Sequence, residues 1–422
     1  MGILAMVLFG ALVHYQIQNQ NNSKLGYFGK VLLSIAEFPS HVRSALKDSP
    51  QIIHDNRFSH IDGFKSNNKV SDNVRKDTGY LLLSSYDYDE KQSSIKLIRI
   101  KDQKILHTWL PDIESLIEKN SISEVAKIAK SHFRLQNPLV MPNGNLVFNG
   151  SEYSLYNMNL CGEIDNFSDG HFHHSNELDH EGNIWTPSVI YPHSYPQLDK
   201  FRDDAIAKIS PTGELLYRKS VAEILIENGY QGLLAIGLYE DPIHLNDIQP
   251  ALSDSKFWKK GDLFLSLRHL STVFLYRPSE NKILWLSTGP WMHQHDVNFV
   301  DHETISIFGN DIINSRLLNG HNTIYFYNFN SKETSTPFDQ VAKTMGLKTI
   351  TQGIGTPISR EEFFIEETNY GRIAKINTSQ PLWEFVHRIN EDSISMPAWS
   401  RYLKEVDVKK IINNIKNLSC IK

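Results

Sequence analysis

Three segments of this 422-residue chain close in the same way: RIKDQKILHTW at 99–109, ISPTGELLYR at 209–218 and RPSENKILWL at 277–286. Each is a polar turn followed by a short alternating run that ends on aliphatic and aromatic residues. Alternation puts successive side chains on opposite faces of a strand, so each run reads as the last strand of a repeated sheet. A chain that rebuilds one antiparallel unit at spacings of roughly 40 to 60 residues is restricted to architectures made of repeated sheets.

Six such units follow one another from Thr78. They contain GYLLLSSYDYDEKQSSIKLIRIKDQKILHTWL (79–110), NPLVMPNGNLVFNG (137–150, continuing toward CGEI), HFHHSNELDHEGNIWTPSV (171–189) with 205–221, IHLNDIQP (243–250) with 261–288, QHDVNFV (294–300) through NTIYFYNF (322–329), and 358–387. The expectation is an all-β fold, a six-bladed β-propeller over residues 78–401, with short helical insertions at 111–133, 220–237 and 335–347. In a propeller the innermost strands line a central channel, so equivalent positions of different blades meet near one axis. A pair of β-sandwiches competes with this reading.

Before the repeats, GILAMVLFGALVHY (2–15) is apolar and runs into QIQNQNNSK. It is short for a bilayer span and suits a signal-peptide core or short anchor. Residues 1–20 are therefore read as a signal-anchor or short transmembrane segment, with a buried N-terminal helix as the alternative. This predicts export to a periplasmic or extracytoplasmic location, with membrane attachment through that segment. Residues 21–77 read as a helical stalk or linker, with a helix over 28–46 interrupted near Pro39, and 402–422 as a C-terminal tail.

A net charge of −5 with no long Lys/Arg block gives no footprint for duplex nucleic acid. Cys161 and Cys420 lack CxxC spacing and support neither a zinc ribbon nor a disulfide-rich scaffold; pairing and free thiols both stay open. Oligomeric state is not legible.

Against this scaffold three histidines open strands: His174, His244 and His295. From His174 to Ile184 and from His295 to Ile305 is ten residues, with an acidic turn between in each case. Two sandwiches would not produce that register. Arg268 in LFLSLRH lies between His244 and His295. One histidine at a strand start is most often a surface or half-buried residue; their shared register and order favour a common site.

HLND followed by SLRH, KILWLSTG and then QHDV, together with the upstream HHS and GNIW, resemble the arylsulfate sulfotransferases, six-bladed propeller enzymes that move a sulfuryl group between phenols without a nucleotide donor. The resemblance covers the third to fifth units well and the others by repeat style. It implies that His295 is the nucleophile that is transiently sulfurylated, and that His174, His244 and Arg268 hold the sulfonate and phenolic oxygens. The chemistry of these residue types agrees. Imidazole is nucleophilic when neutral and its unperturbed pKa is near 7. Guanidinium stays charged and offers a planar fork of donors for spread negative charge. A second histidine, assigned as His244, can protonate the departing phenolate.

Residues further out are assigned as follows. His173, Trp291 and His293 are candidate substrate-binding neighbours, Trp285 is core packing, Asp296 is structural, and Glu366 with Glu367 form a solvated or paired strand face. His171 and His173 share a strand face but lack a nearby carboxylate, so no metal is expected. No GxxxxGK[ST] loop is present, and no cofactor is implied. The expected partners are an aryl sulfate and a phenol, with water as acceptor making the same site a sulfatase. The alternatives from other classes are a non-catalytic propeller that binds a partner or glycan, and a quinoprotein-like redox propeller, for which per-blade tryptophans are lacking.

Overall fold

The computed structural model describes residues 2–18, 28, 31, 49–54, 57–119, 128–150, 152–195, 198, 201–235, 240–311, 320–418 and 420. The chain divides into Met1–Pro50 and Gln51–Lys422. The first unit contains the helix Gly2–Gln18. Among the described residues no helix is long and apolar enough to cross a membrane. Apart from Phe28 and Val31, the helix expected over 28–46 lies outside the described residues.

The second unit is mostly antiparallel sheet. Three consecutive four-stranded sheets run strictly in chain order: Leu245–Pro250 to Lys282–Thr288, Val297–Phe299 to Glu333–Ser335, and Ile354–Pro357 to Pro381–Val386. A fourth contains Tyr80–Asp87, Gln92–Arg99 and Lys104–Trp109, the three strands expected in the first unit, and takes its remaining strand, Arg401–Leu403, from the other end of the chain. The expected second and third units form one eight-stranded sheet. They are joined because Ile164–Phe172 runs on until His171 and Phe172 pair with Val189 and Ser188.

The cores lie between sheets, which is why the strands are apolar on both faces rather than alternating with polar residues. In Tyr80–Asp87, Leu82 packs with Leu146, Phe148 and Tyr156 of the following strands, whereas Leu81 and Leu83 pack with Phe364, Trp383 and Phe385 of the last sheet. In Leu263–Leu267 the three leucines face Trp185 and Ile206, and Phe264 faces Ile305 and Ile307. Phe308 then joins Phe363 and Ile365, and Leu139 and Val147 join Ile184 and Ala207. Each of the six cores thus draws on two successive groups of strands, the last group closing on the first. A fully buried phenylalanine such as Phe264 contributes about 2 kcal/mol by burial.

The repeated closing segments share one local geometry. A residue with positive φ (Gln103, Gly213 or Asn281) ends the turn, and a bulge follows between the last two strands, at Leu97/Ile98, Lys208/Ile209 and Leu275/Tyr276. The sheet beginning at Ile354 carries the same bulge at Lys375/Ile376 without the sequence likeness.

Two boundaries differ from those expected. The stretch from Gln51 to Asp77 is not a stalk: Ile52–His54 pairs with Ser393–Ser395, and Phe58 and Ile61 are buried with Val386 and Ile394. The expected tail is structural as well. Tyr402 and Leu403 complete a sheet, the helix Glu405–Lys416 buries Val408 and Ile411, and Cys420 is disulfide-bonded to Cys161.

Candidate active site

His244 directly precedes the strand Leu245–Pro250, and His174 and His295 lie three and two residues before Glu177–Leu178 and Val297–Phe299. The acidic turns behind the ten-residue register are hydrogen-bonded hairpins: Asp179 N donates to Asn183 O, and Val300 N to Thr304 O. These positions bring the three imidazoles together. The His174 ring centre is 5.2 Å from that of His244 and 5.9 Å from that of His295. His174 and His244 both have positive φ, +58° and +52°. Non-glycine residues adopt that region at a cost and keep it where surrounding bonds over-determine it.

Each imidazole is oriented by a different partner. The Asn310 amide nitrogen donates to Thr349 O and Gln352 O, at 2.9 and 3.0 Å, which turns its Oδ1 toward His295 Nδ1 at 3.0 Å. An acceptor there fixes the proton on Nδ1 and leaves Nε2 as a bare lone pair. His295 Nε2 is buried and has no hydrogen-bond partner among the described residues. Burial pulls its pKa down to about 3, with the charge of Arg268 and the neighbouring histidines acting in the same direction and the Asn310 bond opposing. His295 is therefore neutral at any pH near 7.

His244 places Nδ1 2.5 Å from Asp241 Oδ2, a carboxylate–imidazole dyad with Nε2 as the exchangeable position. His174 Nδ1 lies 2.6 Å from His173 Nδ1, and His173 Nε2 is 3.4 Å from Asp204, which is itself held by Arg202 at 2.8 Å. Burial, then the neighbouring imidazoles, push His174 well below the ordinary histidine range. Both ring nitrogens of His173 face protein groups. It is a support for His174 and not the substrate contact expected of it.

Arg268 is half-buried and its Nε has no partner among the described residues. Burial lowers its pKa from the guanidinium value, opposed by Asp241. His293 is pulled down by burial, then by Arg268, His269 and His244, and so belongs to this cluster. Trp291 does not line it. The indole is 1% exposed and packs edge-on to Tyr325 in the core with Ile305 and Ile307. Trp285 packs against Tyr327 and Phe329, as expected. Glu366 and Glu367 are fully buried rather than solvated: Glu366 accepts from Trp399 N and Ser400 N, and Glu367 pairs with Arg372.

Sequence reading missed Asp241, Asn310, Asp204 and Trp399. Trp399 is 2% exposed, and its ring centre stands 5.4 Å from that of His174 and 5.6 Å from that of His295. Asp241 sits one turn before His244 in DPIH, a weak signal; Asn310 and Trp399 reach the site only through tertiary structure. Asp241, His244 and His269 could also hold a metal ion, their ligand atoms lying within 4.8 Å of one another. His269 Nδ1 already lies 2.5 Å from Asp241 O, His244 Nδ1 lies against the Asp241 carboxylate, and Arg202 is 4.0 Å from it. That set fits a hydrogen-bonded dyad beside cations better than a cation site.

The family model described as arylsulfotransferase (ASST) matches residues 144–388, more than half of the chain. No curated protein matches. Among solved structures, a protein of unknown function from Bacteroides caccae is similar in fold, at 12% identity and a TM-score of 0.50, over 78% of this chain and 100% of that one. Kuenenia stuttgartiensis hydrazine synthase matches at 10% identity and a TM-score of 0.40, over 68% of this chain and 70% of that one.

Proposed function

The chain belongs to the arylsulfotransferase family, and from that premise we propose that it transfers a sulfuryl group from an aryl sulfate to a phenol by double displacement through sulfurylated His295. The observation that carries the proposal is the state of His295: a neutral imidazole with Nδ1–H engaged by Asn310 and Nε2 buried and unpartnered, in the field of Arg268. A buried, unsatisfied lone pair is costly in a folded protein unless a ligand meets it.

In the first half-reaction the Nε2 lone pair forms a bond to sulfur as the sulfur–aryloxy bond breaks, its electron pair going to the phenolate oxygen. Protonated His244, paired with Asp241, hands its Nε2 proton to that oxygen. Arg268 faces the sulfuryl oxygens, where charge is spread in the transition state. In the second half, His244 takes the proton of the incoming phenol, the phenol oxygen bonds to sulfur, and the sulfur–nitrogen bond breaks with its pair returning to His295 Nε2. Reversibility gives His244 both proton tasks, since acceptor and leaving group are chemically alike, and leaves His174 as a sulfonate-side contact.

The scaffold we infer is a six-bladed propeller. The six inter-sheet cores and the pairing of Arg401–Leu403 with Tyr80–Asp87 support it, with the eight-stranded sheet counted as two blades joined at His171 and Phe172. Export with attachment through the N-terminal helix is likewise our reading, supported by the Cys161–Cys420 disulfide, which is characteristic of oxidising compartments.

The test is to mix purified protein with 4-nitrophenyl sulfate and map the sulfuryl adduct by mass spectrometry. An adduct on His295 that disappears on adding phenol is expected. A folded protein with neither adduct nor turnover across several aryl sulfates would sink the proposal; 4-nitrophenol release unaffected by phenol would make it a hydrolase.

A further inference from the structure

We propose that Trp399 is a further substrate-contacting residue, its indole N–H donating to a sulfuryl oxygen while its ring walls the pocket formed by His174 and His295. The proposal rests on the sulfuryl-transfer reading and deepens it.

Three observations carry it. The ring lies against both imidazoles, at 5.4 Å from His174 and 5.6 Å from His295. Its Nε1–H is buried with no acceptor among the described residues. Buried indole N–H groups usually find an acceptor; those of Trp109 and Trp291 lack one too among the described residues, but of the three only Trp399 has its ring against His174 and His295, whose Nε2 is equally open, and there a ligand that brings acceptors would meet it. A sulfuryl group does so, with three oxygens around the sulfur that His295 attacks.

The third observation is the effort spent on placing the residue. Trp399 has φ +62°, a region that a bulky side chain occupies only under constraint. Its N–H and that of Ser400 donate to the two oxygens of fully buried Glu366, at 2.9 and 2.6 Å. Arg134 bonds Pro397 O at 2.9 Å, Ala398 N donates to Ser84 O, and Asn137 N donates to Ala398 O. The ring also packs in the core with Leu81, Phe364 and Trp383, so this backbone serves both the core and the approach to the two imidazoles. Over-determined strain beside reacting groups marks a functional position.

The experiment compares wild type with Trp399→Phe, which keeps an aromatic ring but loses the donor together with the five-membered ring that carries it, and with Trp399→Leu, which removes the aromatic ring as well. Sulfurylation of His295 is followed in single turnover with 4-nitrophenyl sulfate, alongside the thermal midpoint. W399F is expected to slow adduct formation about 100- to 1000-fold, the range for one lost transition-state donor, with the midpoint lowered only as far as the lost ring volume requires. The effect should fall on the adduct rate more than on donor KM, which a packing role would not produce. W399L is expected to be slower again. A W399F rate within about 2-fold of wild type would overturn the donor role while the reading of His295 stands. Absence of any adduct in wild type would remove both. Should W399L not fold, W399F alone decides.

Discussion

Asn310 is the residue on which the proposed chemistry of His295 turns. It offers a neutral oxygen, so it fixes the tautomer without the ion pair that a carboxylate would add, and burial keeps the ring uncharged. Asn310→Leu removes the acceptor and frees the ring to protonate on either nitrogen; kcat should fall about 100-fold with the fold retained, measured as aryl sulfate turnover together with circular dichroism. A second consequence concerns stability. The folded pKa of His295 lies near 3 and the unfolded value near 6.5, so between those limits the unfolded chain binds the proton and stability falls as pH falls. Asp296, pushed up to about 7 by burial, works in the opposite sense across the acid range, so the wild-type curve alone is ambiguous. The difference between proteins is not. On going from pH 6.5 to pH 5, His295→Gln should lose on the order of 1–2 kcal/mol less than wild type in urea unfolding, and an equal loss would contradict the depressed pKa. The three histidines and Arg268 were legible in the sequence because register and order are one-dimensional. Their orienting partners were not: Asn310 ends a strand, Trp399 follows the last full sheet, and nothing local in either segment points to an imidazole.

At the scale of the element, what holds successive groups of strands together is a recurring carboxylate. Asp204 accepts from Leu245 N, Asp247 from Val297 N, Asp296 from Gly355 N, and Glu366 from Trp399 N and Ser400 N. Each acid reaches from one group of strands to a backbone N–H at the start of the next, where the end strand of a sheet has no neighbour on its open side. The structural role expected for Asp296 is thereby located. Asp204, Asp247 and Glu366 are buried and Asp296 is half-buried, and desolvation pushes Asp247 and Asp296 upward, a pattern that would suggest catalytic carboxylates if their hydrogen bonds were ignored. Asp296→Ala leaves Gly355 N buried without an acceptor and should cost about 1–3 kcal/mol, whereas Asp296→Asn keeps an acceptor oxygen and should cost less than half of that. Urea unfolding of the two variants decides, and equal losses would show that the latch contributes nothing. Strands and their turns were readable from alternation and polar punctuation, since both are local. The latches were not, because each joins residues 33 to 59 positions apart, far beyond the reach of any local pattern.

At the scale of the whole molecule, the chain closes on itself twice. Arg401–Leu403 adds a strand to Tyr80–Asp87, and the helix Glu405–Lys416 that follows packs Val408 and Ile411 beside Trp109 and Leu146 before Cys420 meets Cys161, 259 residues earlier. Composition left the two cysteines undecided because two thiols so far apart carry no spacing signal; only the returning strand brings them to a Cα separation of 5.5 Å. A cyclic arrangement of sheets that each pack on two neighbours has no free end to fray except at the closure, so a cross-link there should act on the global unfolding equilibrium. Cys420→Ser is expected to lower stability by about 2–5 kcal/mol, and reduction of the wild type should reproduce that loss without adding to it in the variant. The same substitution should leave kcat near the wild-type value at temperatures where the variant is folded, because the disulfide joins the turn at 161 to the segment after the helix Glu405–Lys416, not the segments carrying His174, His244, Arg268 and His295. Chemical unfolding with and without reductant measures the first effect and aryl sulfate turnover the second. A variant as stable as the oxidised wild type would place the weak point of the ring elsewhere than at its covalent closure.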